Sequence, residues 1–380
     1  MKIIKIKDLG RTVTGHTPPT SESKYYGDYM PFVKPTDIDK EAKYTYNPEQ
    51  YYSKEAAEKY KNSLIPKGST CVVCIGTIGE KMTMAHCDLY TNQSINSIIP
   101  SKEYDPDYVY YLLKYNLGKV KALNKGTASG REFVSKSTFL EMEVSVYESI
   151  DIQKRIGEVL SAYDALIENN SKQIGLLEES AQRIYKEWFV DFRFPNNVTE
   201  LTNEELPNGW RFGKLQDLAV FKRGKTITKN NTKPGKVAVI AGGLGPAYYH
   251  DTANTKAPVI TVSGSGANAG FTRLYYSDVW ASDCSYLDSQ GTPFIFFVYC
   301  FLKSKQQQID NLQKGAAQPH VYAKDLNGLE LVIPTEDTLL AFSEIVAPYF
   351  SKISKLDEEN KLLAESRDLL LPQLMSGKLL

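Results

Sequence analysis

Residues 156–188 read IGEVLSAYDALIENNSKQIGLLEESAQRIYKEW. In this stretch Ile156, Leu160, Tyr163, Ile167, Asn170, Ile174, Leu177, Ala181, Ile184 and Trp188 follow one another at alternating spacings of four and three. Held over about five heptads, that is the a/d seam of a coiled coil, narrower than the stripe of a helix facing a globular core. A second stretch has the same pattern: Phe342, Val346, Tyr349, Ile353, Leu356, Asn360, Leu363, Arg367, Leu370 and Leu374. Pro348 falls near its start and Pro372 near its end. A proline ring removes one helical hydrogen bond, so a kink or a fresh start is expected at Pro348. Two seams in one chain pair most simply with each other; packing of each helix on its own domain is the alternative.

Both stretches belong to a larger duplication. Asp8-Leu9, Gly15 and Thr17 match Asp217-Leu218, Gly224 and Thr226 at a constant offset of 209. Gly126 and Ala128 match Gly315 and Ala317 at offset 189, and Lys136 matches Lys324. At offset 186, Glu158, Tyr163, Ile167, Leu176, Leu177, Glu179 and Ser180 recur as Glu344, Tyr349, Ile353, Leu362, Leu363, Glu365 and Ser366. The chain reads as two copies of one unit, each a globular domain followed by a helix. At that offset Asn360 corresponds to position 174, one seam step from Asn170. In a parallel pair each amide would face an apolar partner at a desolvation cost. An antiparallel pair centred on position 172 sets Asn170 against Asn360, Ile156 against Leu374 and Tyr163 against Arg367, and seam amides fix register. The expectation is antiparallel helices with Asn170 and Asn360 within hydrogen-bonding or one-water reach.

The 380 residues are 42% apolar and 24% charged, which suits two or three globular domains. No apolar run approaches the ~18–20 residues of a membrane span. The opening MKIIKIKDLG lacks the apolar centre of a signal peptide, so a cytoplasmic protein is expected. Five cysteines are too few for a disulfide scaffold, and an odd count fits a reducing compartment. Net charge is zero, yet it is sorted by segment: +2 over 1–150, −5 over 151–206, +6 over 207–335 and −3 over 336–380. The two long segments stay open to an anionic partner. Their short apolar runs, such as Thr70–Ile75 and Pro258–Val262, alternate with Gly, Pro and Asn clusters and read as strands and turns. A few helices are expected among them, for example Asp107–Leu117 and Phe294–Ile309.

The candidate chemical motifs give way to structural readings. Gly10-x4-Gly15-His16-Thr17 resembles a Walker A loop with His in place of Lys, but Pro18-Pro19 follows, and no helix starts to hold a phosphate. In the second copy Ala219 stands where the first Gly belongs. Cys71-x2-Cys74 lies in a strand-like run, where residues three apart point to opposite faces, so packed cysteines are expected rather than zinc. Gly76-x2-Gly79 and Gly264-x-Gly266-x3-Gly270 read as hairpin turns, since Phe271–Tyr275 looks like another strand rather than the helix of a dinucleotide fold. The 25 tyrosines suit strands. Interleaved with Lys, Asn, Thr and Gly, they also make a surface that bonds phosphates and base edges. There is no Asp-Pro-Pro-Tyr-type methyltransferase motif, and four histidines support no Ser/His/Asp arrangement.

With the duplication and paired helices, the chain resembles the specificity (S) subunit of a type I restriction-modification system. The resemblance covers essentially the whole chain. It is carried by Gln153–Pro195, where the helix with Gln173, Ile174 and Leu177 runs into Trp188-Phe189-Val190-Asp191-Phe192-Arg193-Phe194-Pro195. Leu206-Pro207-Asn208-Gly209-Trp210, opening the second half, and the matched starts of the copies add to it. Each motif is loose; their order is specific. The resemblance implies two target-recognition domains, each reading half of a bipartite, asymmetric site in double-stranded DNA. It implies two spacer helices that dock two methyltransferase (M) subunits, with restriction (R) subunits joining the full complex. It implies no catalytic residue and no cofactor in this chain; S-adenosylmethionine would serve the M subunits, and ATP and Mg2+ the R subunits. The rival readings are a coiled-coil scaffold that binds no DNA and a self-sufficient methyltransferase or nuclease.

The expected fold is α+β, with two mixed, strand-rich recognition domains joined by two long helices in an antiparallel coiled coil with a pseudo-two-fold repeat. Expected boundaries are 1–150 for the first domain, 151–192 for the central spacer helix and 193–206 for a linker. The second domain is expected over 207–335 and the C-terminal spacer helix over 336–380. The 33 seam residues 156–188 span about 50 Å at ~1.5 Å per residue, against the ~34–36 Å recurrence of sites on one face of DNA. Candidate DNA contacts are the basic residues near Gly-rich turns: Lys34, Lys81, Lys125 and Arg131, then Lys222, Arg223, Lys225, Arg273, Lys314 and His320.

Overall fold

The computed structural model describes residues 1–124, 132–195, 206–312 and 319–379. The chain forms two compact units. One joins Met1–Ser171 to Glu358–Leu380, and the other is Lys172–Asp357.

In the first unit the strands are β1 (Lys2–Lys5), β2 (Gly10–Thr14), β3 (Tyr26–Gly27), β4 (Met30–Val33) and β5 (Gln50–Tyr52). They continue as β6 (Thr70–Val73), β7 (Met82–Met84), β8 (Tyr90–Thr91), β9 (Ile95–Pro100) and β10 (Glu143–Val146). They form a ribbon β1-β10, a sheet of order β2-β9-β6-β7 and a smaller sheet β3-β5-β4-β8 whose β4-β8 pair is parallel.

The second unit holds β11 (Arg211–Lys214), β12 (Lys222–Arg223), β13 (Val237–Ile240), β14 (Pro246–His250) and β15 (Val259–Ser263). After them come β16 (Thr272–Tyr275), β17 (Trp280–Ala281), β18 (Cys284–Asp288) and β19 (Glu330–Ile333). The pattern repeats: a ribbon β11-β19, a sheet β12-β18-β15-β16 and a small sheet β14-β13-β17 whose β13-β17 pair is parallel. The duplication seen in the sequence is thus a duplication of topology.

The expected hairpins form. β6 and β7 pair through the Gly76–Gly79 turn, and β15 and β16 through Gly264–Gly270. Gly76, Gly79, Gly266 and Gly270 have φ between +72° and +94°, a region glycine enters without a Cβ penalty. Cys71 packs in one apolar cluster with Val33 and Ile65, Cys74 in another with Ile78 and Tyr108, as a strand's alternation requires. The helices expected at Asp107–Leu117 and Phe294–Ile309 appear as Pro106–Tyr115 with Leu117–Ala122, and Ile295–Ser304 with Gln306–Asn311.

The central helix runs Ile150–Phe189 and the C-terminal helix Glu336–Met375. In the first unit Asp164 pairs with Arg367 and Asn360 Nδ2 donates to Ser171 Oγ at 3.4 Å, while Ile156 shares a cluster with Leu374. Early residues of one helix therefore meet late residues of the other. In the second unit Tyr185, Trp188 and Phe189 pack on Phe342, with ring centroids 6.3, 6.0 and 5.0 Å apart, again in antiparallel sense. Arg367 meets Asp164, one residue on from the expected Tyr163.

Of the kink or fresh start expected at Pro348, the fresh start does not occur: the C-terminal helix is continuous through it. Pro348 is exposed, as is Glu344, whose carbonyl it cannot bond, while Phe342, Val346 and Phe350 are buried and hold the turn. No described helix is long and apolar enough to cross a membrane.

Candidate nucleic-acid interface

Each recognition domain carries a loop pinned by one backbone crossing. After β2, Gly15 N donates to Ile95 O at 3.2 Å and His16 N to Thr91 O at 2.8 Å. After β12, Gly224 N donates to Cys284 O at 2.8 Å and Lys225 N to Ala281 O at 2.9 Å. A Cβ on Gly15 would stand 2.2 Å from Thr91 O and Asn92 O; on Gly224 it would stand 2.3 Å from Ser282 O. Only glycine fits at either crossing, which explains the Walker-like spacing without a phosphate. An aromatic donor then holds the next carbonyl. Tyr52 Oη donates to His16 O at 2.5 Å, and Trp280 Nε1 to Lys225 O at 2.8 Å.

Around these crossings the sequence-derived cations fall into distinct settings. Lys222, Arg223 and Lys225 are exposed on β12 and its loop. Arg223 and His320 line one cavity of about 160 Å³ together with Asp283, Ser285 and Tyr322. His320 stacks on Tyr322, centroids 5.7 Å apart. Arg273 is tied down: Nη1 donates to Leu244 O at 3.1 Å, and its guanidinium lies 5.2 Å from the Tyr275 ring centroid. Lys34 is paired with Glu49 at 2.6 Å, and that hydrogen bond holds the Glu49 carboxyl below its ordinary range. Lys81 donates to Pro35 O at 2.9 Å. Lys125, Arg131 and Lys314 lie outside the described residues. The sequence reading missed Asp283, Ser285 and Tyr322. Their signal was available in the register between β12 and β18, which sets Arg223 opposite Ser285, but register is not read from one strand.

The helix pair supplies polar groups of another kind. Arg367 is 1% exposed and Asp164 7%. Tyr111 Oη donates to the second Asp164 oxygen, and Arg367 Nε donates to Asp368 at 2.9 Å. Burial opposes the Arg367 charge, but Asp368 and Asp164 more than offset it, so its pKa is raised. Burial, then Asp164, also raises the Tyr111 pKa. Asn170 and Asn360 exchange no direct hydrogen bond: Asn170 Nδ2 and Asn360 Oδ1 are both buried without a partner among the described residues. Burial pushes the thiols of Cys71 and Cys284 up to about 12, so both stay neutral. No described cluster of three His, Cys, Asp or Glu side chains is placed to hold a metal.

A duplicated recognition framework on a paired-helix scaffold defines the class. The type I restriction modification DNA specificity domain model matches residues 1–179 and again 207–364, and the chain belongs to that family. It is 29% identical to the type I restriction enzyme MjaIX specificity subunit of Methanocaldococcus jannaschii over 412 residues, covering 99% of this chain and 92% of the relative. It is 32% identical to the HindI specificity subunit of Haemophilus influenzae over 176 residues, 46% of this chain and 38% of that one. The crystal structure of the type I restriction-modification S subunit from M. genitalium superposes with a TM-score of 0.58 at 18% identity, covering 98% of this chain and 95% of that one.

Proposed function

We propose that this chain is the sequence-reading subunit of a type I restriction-modification complex, with each recognition domain contacting one half of a bipartite, asymmetric DNA site. The observation that carries the reading is the pair of pinned loops: one backbone framework, present twice, bearing His16-Thr17-Pro18-Pro19 in one copy and a lysine-bearing loop from Lys225 in the other. Two related frames with unlike side chains suit two unlike half-sites. The positive charge of both domains supports a phosphate partner.

The long helices set the spacer and dock two M subunits. Leu176 and Leu362, equivalent positions of the two copies, are 63% and 58% exposed, which supports two like docking points. R subunits join through that assembly. The chain itself carries no catalytic group and takes no cofactor; S-adenosylmethionine, ATP and Mg2+ belong to the partners.

A gel shift of the chain with its purified M subunits tests the reading. Binding to a duplex carrying the site is expected to fall steeply with salt. Salt-independent or absent binding favours a scaffold, and methyl transfer by this chain alone with S-adenosylmethionine overturns the assignment.

A further inference from the structure

We propose that the cavity beside Arg223 reads one G·C pair of the second half-site, with guanine bonded by Arg223 and the cytosine amine by Asp283. This rests on the DNA-recognition reading above and adds to it the residues and the base pair.

The cavity brings together complementary chemistry. An arginine fork matches guanine O6 and N7, and a carboxylate accepts from cytosine N4. The guanidinium of Arg223 makes no ion pair or hydrogen bond among the described residues, although Asp283 lines the same cavity. Asp283 instead accepts from Ser265 Oγ at 2.5 Å, which leaves its other oxygen for a ligand. A cation and a carboxylate thus share a small cavity without neutralising each other. Arg with no partner retains all of its donors.

The lining is held by backbone. Arg223 pairs with Ser285 across β12 and β18, Gly264 N donates to Asp283 O at 3.3 Å, and His320 bridges to Ser265. Val321 N donates to Gly264 O at 3.2 Å. A reader fixed in this way spends little on ordering when it meets a base.

The first copy repeats the frame and changes the chemistry. There Ile75 bridges to Phe133, Gly76 N donates to Glu132 O at 3.1 Å and Val134 N to Cys74 O at 2.9 Å. These match the Ser265–His320 bridge, the Gly266 N to Pro319 O bond of 3.1 Å and the Val321 bond. Where the second copy has Arg223, Asp283, Ser285 and His320, the first has Thr14, Ser94, Asn96 and Phe133, with Thr14 Oγ1 donating to Asn96 Oδ1 at 2.7 Å. Residues needed for the frame stay the same, as Gly15 and Gly224 do. Residues that differ at one fixed place, and carry base-reading groups there, fit readers of two different sequences.

The test maps methylated positions on a randomised duplex library with the full complex of this chain and its M subunit. Arg223→Gln and Asp283→Asn should each cut the preference at one base pair of the second half-site by about 10- to 100-fold. The first half-site and the spacer should not change. Lys222→Ala with Lys225→Ala should lower methylation of all sites alike and leave the sequence preference intact. If Arg223→Gln fails to assemble, Arg223→Lys, which keeps the charge and loses the fork, gives the same readout. Unchanged preference at every position, an affected pair other than G·C, or a change confined to the first half overturns the proposal. A wild-type complex with no sequence preference overturns the DNA-recognition reading itself.

Discussion

The two ends of the helix pair are built from opposite materials. In the first unit the helices meet through a buried ion pair, Asp164 with Arg367, and a tyrosine hydroxyl on the same carboxylate. In the second they meet through aromatic rings, Tyr185, Trp188 and Phe189 on Phe342, and Phe296 of the Ile295–Ser304 helix stacks on Phe350 at 4.4 Å beside them. The ionic end fixes register, because a displaced Arg367 leaves a carboxylate buried without a counter-charge. The aromatic end contributes area and tolerates small slips. The duplication preserved the direction of packing and let its chemistry diverge.

The largest effect that separates the two ends is expected from single truncations. Arg367→Ala should cost about 3–5 kcal/mol, most of it from stranding Asp164. Phe342→Ala should cost a similar ~3–5 kcal/mol by opening a cavity. Amide hydrogen exchange read by segment distinguishes them: the first should loosen residues 150–171, the second residues 172–189. Replacing Asp164 by Leu together with Arg367 by Met should recover most of the first loss, and no paired change at the aromatic end should behave in that way.

A smaller, equal effect is expected where the copies agree. Gly15→Ala and Gly224→Ala each push a methyl group against backbone carbonyls that cannot give, for roughly 1–3 kcal/mol apiece. Thermal melts of the two variants should shift alike; unequal shifts would break the equivalence of the crossings.

The pinned loops differ in charge, and salt titration measures by how much. Lys222→Ala with Lys225→Ala should flatten the slope of log affinity on log salt by about 0.9 for each phosphate that is no longer neutralised. Arg273→Ala should add little, since that side chain is engaged with Leu244 and Tyr275.

The smallest contrast lies at the ribbons. Lys5 and then Lys7, each bonded at 2.6 Å, pull the Glu141 pKa down to about 2. A lowered carboxyl pKa stabilises the fold above the unfolded value near 4.5, and the contribution is lost as pH falls towards 2. The second copy has Gly328 at the corresponding place. An acid titration followed by exchange at the β1-β10 ribbon should show this loss, Glu141→Gln should remove it, and the β11-β19 ribbon should not respond.

Much of the architecture was legible because it is periodic or repeated. The heptad seam gave both long helices, and the offset between Asn170 and Asn360 gave their direction to within one residue of register. The Cys71–Cys74 spacing separated two cores. No fresh start occurs at Pro348, because the sequence alone does not say which side of a helix faces water. Of the Arg223 cavity, Arg223 and His320 were legible as cations near turns, but Asp283, Ser285 and their convergence were not. Asp283 and His320 lie 60 and 97 positions beyond Arg223, and only strand pairing and an isolated bridge bring them to it.

The discontinuity of the first unit bears on the order in which the protein is made. The second unit is one unbroken stretch, 172–357, so every residue of its core has been synthesised before residue 358 is added. The first unit's core needs Arg367, Leu371, Leu374 and Met375, which are made only after the second unit. During synthesis the domain begun first is therefore completed second. Until those residues arrive, the seam from Ile156 to Ile167, with Asp164 on it, must be kept from other partners.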